Sequence, residues 1–201
     1  MRVVDYKSSR KKITSETLAS GINIQMLLYL FASTDEGGLY QDFQPAGVLY
    51  SPIQLSEVKL EDHRIDSRND SEIDSGLKTS GLIIGDLDVL EAMENGVAGK
   101  YIPAKLNASG ELNKKSGCIS KEGMKLLREN VYGKLREMAE SLLSGDAEAV
   151  PLILEKKKPC DFCDYMNICD NSLLERYRVP DPEKVAEAEK ILSAEPDREE
   201  V

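Results

Sequence analysis

The sequence predicts an α/β fold with an α-rich C-terminal extension, and three observations carry that reading. Arg2-Val3-Val4-Asp5-Tyr6 is a β-branched run with the pattern of a short buried strand. Ala46 to Tyr50, bounded by Pro45 and Pro52, reads as a second. Strand, helix and strand at this spacing make a βαβ unit, whose crossover is right-handed and whose strands are parallel neighbours. In the other half, Met124, Leu127, Val131, Leu135, Met138 and Leu142 recur at helical spacing and mark a long amphipathic helix.

Taken in order, Ser8 to Thr14 is a polar connection, and a helix over about 15–33 follows with Thr14 or Ser15 as its N-cap. Leu18, Ile22, Gln25 and Tyr29 share its spacing, which puts Gln25 on the apolar face near the end of the first strand. Gly37-Gly38 ends this stretch. The charged, serine-rich residues 57–80 read as a loop or insertion. Gly81 to Gly85 is a short strand or turn entry, Asp86 to Met93 a helix closed by Asn95-Gly96, and Ser109-Gly110 the turn of a hairpin between 101–105 and 111–114. Ser120 caps the long helix and Gly145 ends it. Residues 181–201 read as a short solvated helix with an acidic end.

The chain of 201 residues is 41% hydrophobic, enough for one ordinary core, and contains no apolar run of membrane-spanning length. With no signal-peptide pattern at Met1-Arg2, the expected compartment is the cytoplasm, where clustered cysteines bind metals more often than they pair. The net charge of −10 is unevenly placed. Residues 170–201 carry ten acidic and five basic side chains, and residues 57–74 carry seven and three. The motif regions are basic by contrast: Lys7, Arg10, Lys11 and Lys12 at one end, Lys156 to Lys158 at the other. The acidic balance therefore leaves a DNA substrate open.

Two motifs bear chemistry. Residues i and i+2 of a strand face the same way, so Asp5 and Lys7 project together. Hydrolysis of a phosphodiester needs a hard divalent cation and a positioned water, and magnesium prefers oxygen donors. Asp5 suits the metal and Lys7 the water or scissile phosphate; an exposed strand-end ion pair is the competing reading. Cys160, Cys163 and Cys169 form a C-x2-C-x5-C cluster holding three of the four cysteines. That density points to an iron–sulfur cluster or zinc, both of which take four ligands. Cys118 is a candidate fourth or a small buried hydrophobe. The sole histidine, His63, lies in the acidic insertion.

With these pieces in place, the chain resembles the C-terminal part of the B subunit of AddAB-type helicase–deoxyribonucleases. The matching stretches are Val3-Val4-Asp5-Tyr6-Lys7-Ser8-Ser9, Gly21 through Gln25-Met26-Leu27-Leu28-Tyr29-Leu30, Pro45 to Tyr50, Gly81 to Ile84, and Lys158 to Cys169. The resemblance implies a partial restriction-endonuclease-like, PD-(D/E)XK core with the α-rich extension. It implies a Mg²⁺-dependent DNA exonuclease of a helicase–nuclease complex, acting with a helicase–nuclease A subunit in double-strand break repair and recombination. On that pattern Asp5 and the main-chain carbonyl of Tyr6 bind Mg²⁺, and Lys7 and Gln25 complete the catalytic set. Arg10, Lys11 and Lys12 meet DNA, and Cys160, Cys163 and Cys169 are three ligands of a [4Fe-4S] cluster.

The family's first acidic ligand and first cluster cysteine precede the D-x-K strand and are not in this sequence. The resemblance thus implies a piece of a larger protein, inactive alone, without an intact cluster, and prone to self-association through an exposed sheet edge. The expected organisation is 1–56 partial nuclease core, 57–80 acidic loop, 81–178 extension with the cysteines, and 179–201 acidic helical tail. Two alternatives stand: a non-enzymatic zinc- or thiol-stabilised interaction module, and a CRISPR-associated nuclease of the same superfamily.

Overall fold

A computed structural model of the chain describes residues 1–8, 11–53, 77–113, 116–154, 158–169 and 176–194. The strands are β1 (Arg2–Lys7), β2 (Gly47–Pro52), β3 (Ser80–Ile84) and β4 (Cys118–Ile119). They form one sheet in the order β1-β2-β3-β4. The β1–β2 pair is parallel, as the βαβ spacing requires, with Val3 beside Val48 and Asp5 beside Tyr50. β3 runs antiparallel to β2, and β4 parallel to β3.

The expected crossover helix is two helices. Helix α1 (Ser15–Ala19) opens with a capping box between Thr14 and Thr17. It ends in a Schellman turn: Gly21 is left-handed at φ 69°, its N–H donates to the Leu18 carbonyl, and Ile22 N–H donates to that of Thr17. Asn23, at φ 61°, turns the chain again before α2 (Gln25–Thr34) starts. Gly21 and Asn23 thus reset the helical phase, which the i, i+4 spacing of Leu18, Ile22 and Gln25 does not reveal. Gln25 is the exposed first residue of α2 rather than part of its apolar face, while Met26, Leu27, Leu30 and Phe31 are buried.

Helices cover both faces of the sheet. On one, Val48, Tyr50, Leu82 and Ile84 pack with Leu18 of α1, Leu27, Leu30 and Phe31 of α2, and Leu127 and Val131 of α4 (Lys121–Leu143). On the other, Leu49 and Ile83 pack with Leu90 of α3 (Leu87–Met93), Val97, Ile102 and Ala104. Ser120 caps α4 through the Gly123 N–H, and Gly145, at φ 77°, closes it. The stripe expected along α4 is buried only to Val131; Met138 and Leu142 are exposed. The hairpin at Ser109-Gly110 narrows to a single antiparallel bridge, Leu106 to Leu112.

The helix expected from residue 181 forms as α5 (Pro182–Leu192), with Asp181 as its N-cap. It is not solvated. Ala188 and Ile191 are buried in the core against α1 and α4. Lys184 reaches Glu137 of α4 at 3.0 Å, and Lys134 reaches the same carboxylate at 3.0 Å. The acidic face that suggested a tail is only the outer half of an amphipathic helix. The insertion proper, 54–76, lies outside the described residues, as do residues 195–201.

Candidate active site

Asp5 and Lys7 stand on the face of β1 that carries α1, α2 and α4, two positions beyond Val3, which packs into that core. Lys7 Nζ lies 2.6 Å from Asp5 Oδ2, with both side chains about one-third exposed. Tyr50, the register partner of Asp5, is 4% exposed. Its hydroxyl is held protonated beyond the usual tyrosine range, first by burial and then by the Asp5 charge. A desolvated phenol thus walls one side of the pair, and solvent has the other.

Two further elements converge on this end of the sheet. Because β1 and β2 are parallel, the intervening α2 runs back against them, so its first residue stands at the end where β1 finishes. There Gln25 Nε2 donates to the Tyr29 hydroxyl at 2.7 Å, an i, i+4 pair on the exposed surface of α2. Second, Ser80 Oγ donates to the Lys11 main-chain carbonyl at 2.7 Å, and Ser80 is the register partner of Tyr50. The Lys11 main chain therefore lies over the same face, and Lys11 and Lys12 are both exposed. Arg10 lies outside the described residues.

β1 is the edge of the sheet among the described residues. The Met1 carbonyl accepts from Ala46 N–H at 2.7 Å and the Lys7 carbonyl from Ile53 N–H at 3.0 Å, so odd-numbered carbonyls point to β2. Carbonyls alternate along a strand, and those of Arg2, Val4 and Tyr6 face the open edge. The Tyr6 carbonyl and the Asp5 carboxylate are hard oxygens of consecutive residues at the open end of β1. That is a fit for a cation which fills its remaining positions with water and phosphate oxygens. No three Cys, His, Asp or Glu side chains converge to hold a metal among the described residues.

The cysteine segment has a different character. Cys160 lies in a 3₁₀ turn, Pro159–Phe162, and Cys169 follows a second, Met166–Ile168. Cys163 is exposed, its N–H donating to the Cys160 carbonyl at 3.1 Å, and Phe162 and Ile168 are 89% and 83% exposed. Cys118 lies on β4 beside Ile83 and packs with the second core cluster. Burial pushes its thiol up to about 12, so it stays protonated at neutral pH. A [4Fe-4S] cluster takes four thiolates, of which this segment supplies three.

Sequence reasoning missed the roles of Tyr29, Tyr50 and Ser80. Tyr29 was open to discovery as the i+4 neighbour of Gln25. Ser80 was not, since its bond to Lys11 spans 69 residues.

A parallel β1–β2 pair with a crossover helix, an Asp-x-Lys pair at its end and a glutamine opening the helix define a nuclease-type α/β core. The family model of the PD-(D/E)XK nuclease superfamily matches residues 1–170, and the chain belongs to that superfamily. It is similar to the B subunit of the ATP-dependent helicase/deoxyribonuclease of Thermoanaerobacter sp. (strain X514), 30% identical over 172 residues, 84% of this chain and 15% of the relative. The protein of the same name from Clostridium perfringens (strain SM101 / Type A) is 32% identical over 188 residues, 89% and 16%. That from Clostridium acetobutylicum (strain ATCC 824) is 34% identical over 173 residues, 84% and 15%. The chain thus spans about one-sixth of the length of these relatives. No helix among the described residues is long and apolar enough to cross a membrane.

Proposed function

We propose that these residues form the hydrolytic end of a DNA exonuclease in a cytoplasmic helicase–nuclease, working with an A-type subunit in double-strand break repair and recombination. The observation that carries it is the Asp5–Lys7 pair, set on one strand face beside a buried tyrosine. Membership of the nuclease superfamily and the names of the relatives support the reading. Asp5 and the Tyr6 carbonyl would hold Mg²⁺, which would supply neutralisation of phosphate charge and a more acidic water. Lys7, kept in place by Asp5, donates to the scissile phosphate or to the attacking water. Gln25, fixed by Tyr29, donates at the rim, while Lys11 and Lys12 meet the DNA backbone.

The interaction-module alternative predicts no metal dependence at Asp5. The test is Mn²⁺ binding, read by the loss of free-ion EPR signal, for the chain and its Asp5→Asn variant. Binding weakened at least tenfold by the substitution supports the reading, and equal binding overturns it. With one carboxylate in place, the isolated chain is expected to cleave no more linear DNA in Mg²⁺ than Asp5→Ala does. Cys160, Cys163 and Cys169 supply three ligands of an iron–sulfur cluster only where a fourth comes from outside these residues. The open edge of β1, with Val4 43% and Tyr6 69% exposed, favours strand pairing with a second copy. Sizing by light scattering tests that, a monodisperse monomer at high concentration ruling it out.

A further inference from the structure

Register partners on neighbouring strands share a face, so Asp5, Tyr50 and Ser80 form one row across β1, β2 and β3. Strands lie about 4.8 Å apart, which puts Ser80 about 10 Å from Asp5 across the buried tyrosine. Ser80 holds the chain that has just left β1: its hydroxyl donates to the Lys11 carbonyl at 2.7 Å. Ser80 is itself well anchored. The preceding residue, Thr79, donates both its N–H, at 2.8 Å, and its hydroxyl, at 2.6 Å, to the Tyr101 carbonyl. Tyr101 N–H in turn donates to the Glu94 carboxylate at 2.7 Å.

A chain of hydrogen bonds therefore runs from Glu94, through Tyr101 and Thr79, to the serine that grips Lys11. It ties a basic strap, Lys11-Lys12, to the sheet at a set distance from the Asp5–Lys7 pair. The tied main chain of Lys11 thus lies about 10 Å from Asp5, two strand spacings away. Lysines on a loose loop would serve any anion; tying the main chain at Lys11 limits where these two exposed side chains can reach, which suits a nucleic-acid backbone that also passes Asp5.

We propose that Ser80 is a positioning residue for DNA: by holding the Lys11 carbonyl it sets Lys11 and Lys12 as a phosphate clamp beside the Asp5–Lys7 pair. Ser80 does not touch DNA. The proposal rests on the nuclease reading given above and adds to it the residue that orients the strand. Its loss acts through the strap, so the hydroxyl and not the side-chain volume is what counts.

The test is fluorescence anisotropy of a labelled single-stranded oligonucleotide and a duplex, titrated with the chain at several salt concentrations. Replacing both lysines, Lys11→Ala with Lys12→Ala, is expected to weaken binding and to lower the salt slope by about two, one for each phosphate no longer neutralised. Ser80→Ala is expected to weaken binding about threefold to tenfold, the worth of one neutral hydrogen bond, with the slope nearly kept. Ser80→Thr, which retains the hydroxyl, is expected to restore it. Thermal unfolding of each variant shows whether the fold is intact. Ser80→Ala binding equal to the unsubstituted chain, or a loss that Ser80→Thr does not rescue, overturns the clamp alone. No DNA binding by the unsubstituted chain overturns the nuclease reading and the clamp together.

Discussion

Lys7 Nζ touches Asp5 Oδ2 at 2.6 Å across two positions of one edge strand. A half-open pair of this kind is worth under about 1 kcal/mol to the fold. Stability therefore does not account for its place at the end of β1.

The first prediction follows from that magnitude. Asp5→Asn and Lys7→Ala are each expected to shift unfolding by less than about 1 kcal/mol. In a helicase–nuclease complex carrying the same substitutions, DNA hydrolysis is expected to fall at least about a hundredfold, as when metal or charge stabilisation is removed. Urea titration and a gel assay on linear DNA check both halves. A large stability loss with activity kept would make the pair structural.

Thiol chemistry separates the four cysteines. Burial holds Cys118 protonated up to about 12, while Cys163 is exposed. Iodoacetamide at pH 8 is expected to label the exposed Cys163 first and Cys118, whose thiol burial holds protonated, last. Peptide mapping reads the order, and early labelling of Cys118 contradicts its packing on β4.

Glu94 clamps the loop above α3. Its carboxylate accepts from the N–H groups of Lys100 at 2.9 Å, Tyr101 at 2.7 Å and Ile102 at 3.0 Å. Burial alone would raise its pKa, but these bonds outweigh it and the net shift is downward. A depressed carboxylate contributes stability above its unfolded pKa, lost as pH falls through the folded value. Glu94→Gln is expected to cost about 1–2 kcal/mol at pH 7, and the gap to the unsubstituted chain to narrow below about pH 4. Urea midpoints at pH 7, 5 and 3 measure it. A constant gap removes the ionised carboxylate from the account.

Most of the nuclease core was legible because its signals are local. The β-branched run at 2–6, the Pro45 and Pro52 boundaries and the Ser120 cap each act within a few residues, and the βαβ rule supplied the parallel pairing. The break at Gly21–Asn23 was hidden because helical periodicity ignores a left-handed turn that one glycine permits. The grip of Ser80 on Lys11 was hidden because it depends on the register of three strands. The place of α5 was misread because charge outweighed the sparse apolar stripe of Val185, Ala188, Ile191 and Leu192.

That stripe gives the last prediction. Ile191 is 6% exposed and Ala188 fully buried, in the cluster that joins Leu18 of α1 to Met124 and Leu127 of α4. If α5 were a solvated appendage, trimming Ile191 would change stability by no more than about 0.5 kcal/mol. As a core element, Ile191→Ala is expected to cost about 2–4 kcal/mol through lost burial and the cavity left behind. The exposed Glu187 on the same helix serves as the control, Glu187→Ala shifting stability by less than about 0.5 kcal/mol. Both are read as urea midpoints with an unchanged m-value. Equal, small effects of the two substitutions would detach α5 from the core and return residues 182–192 to the role of a tail.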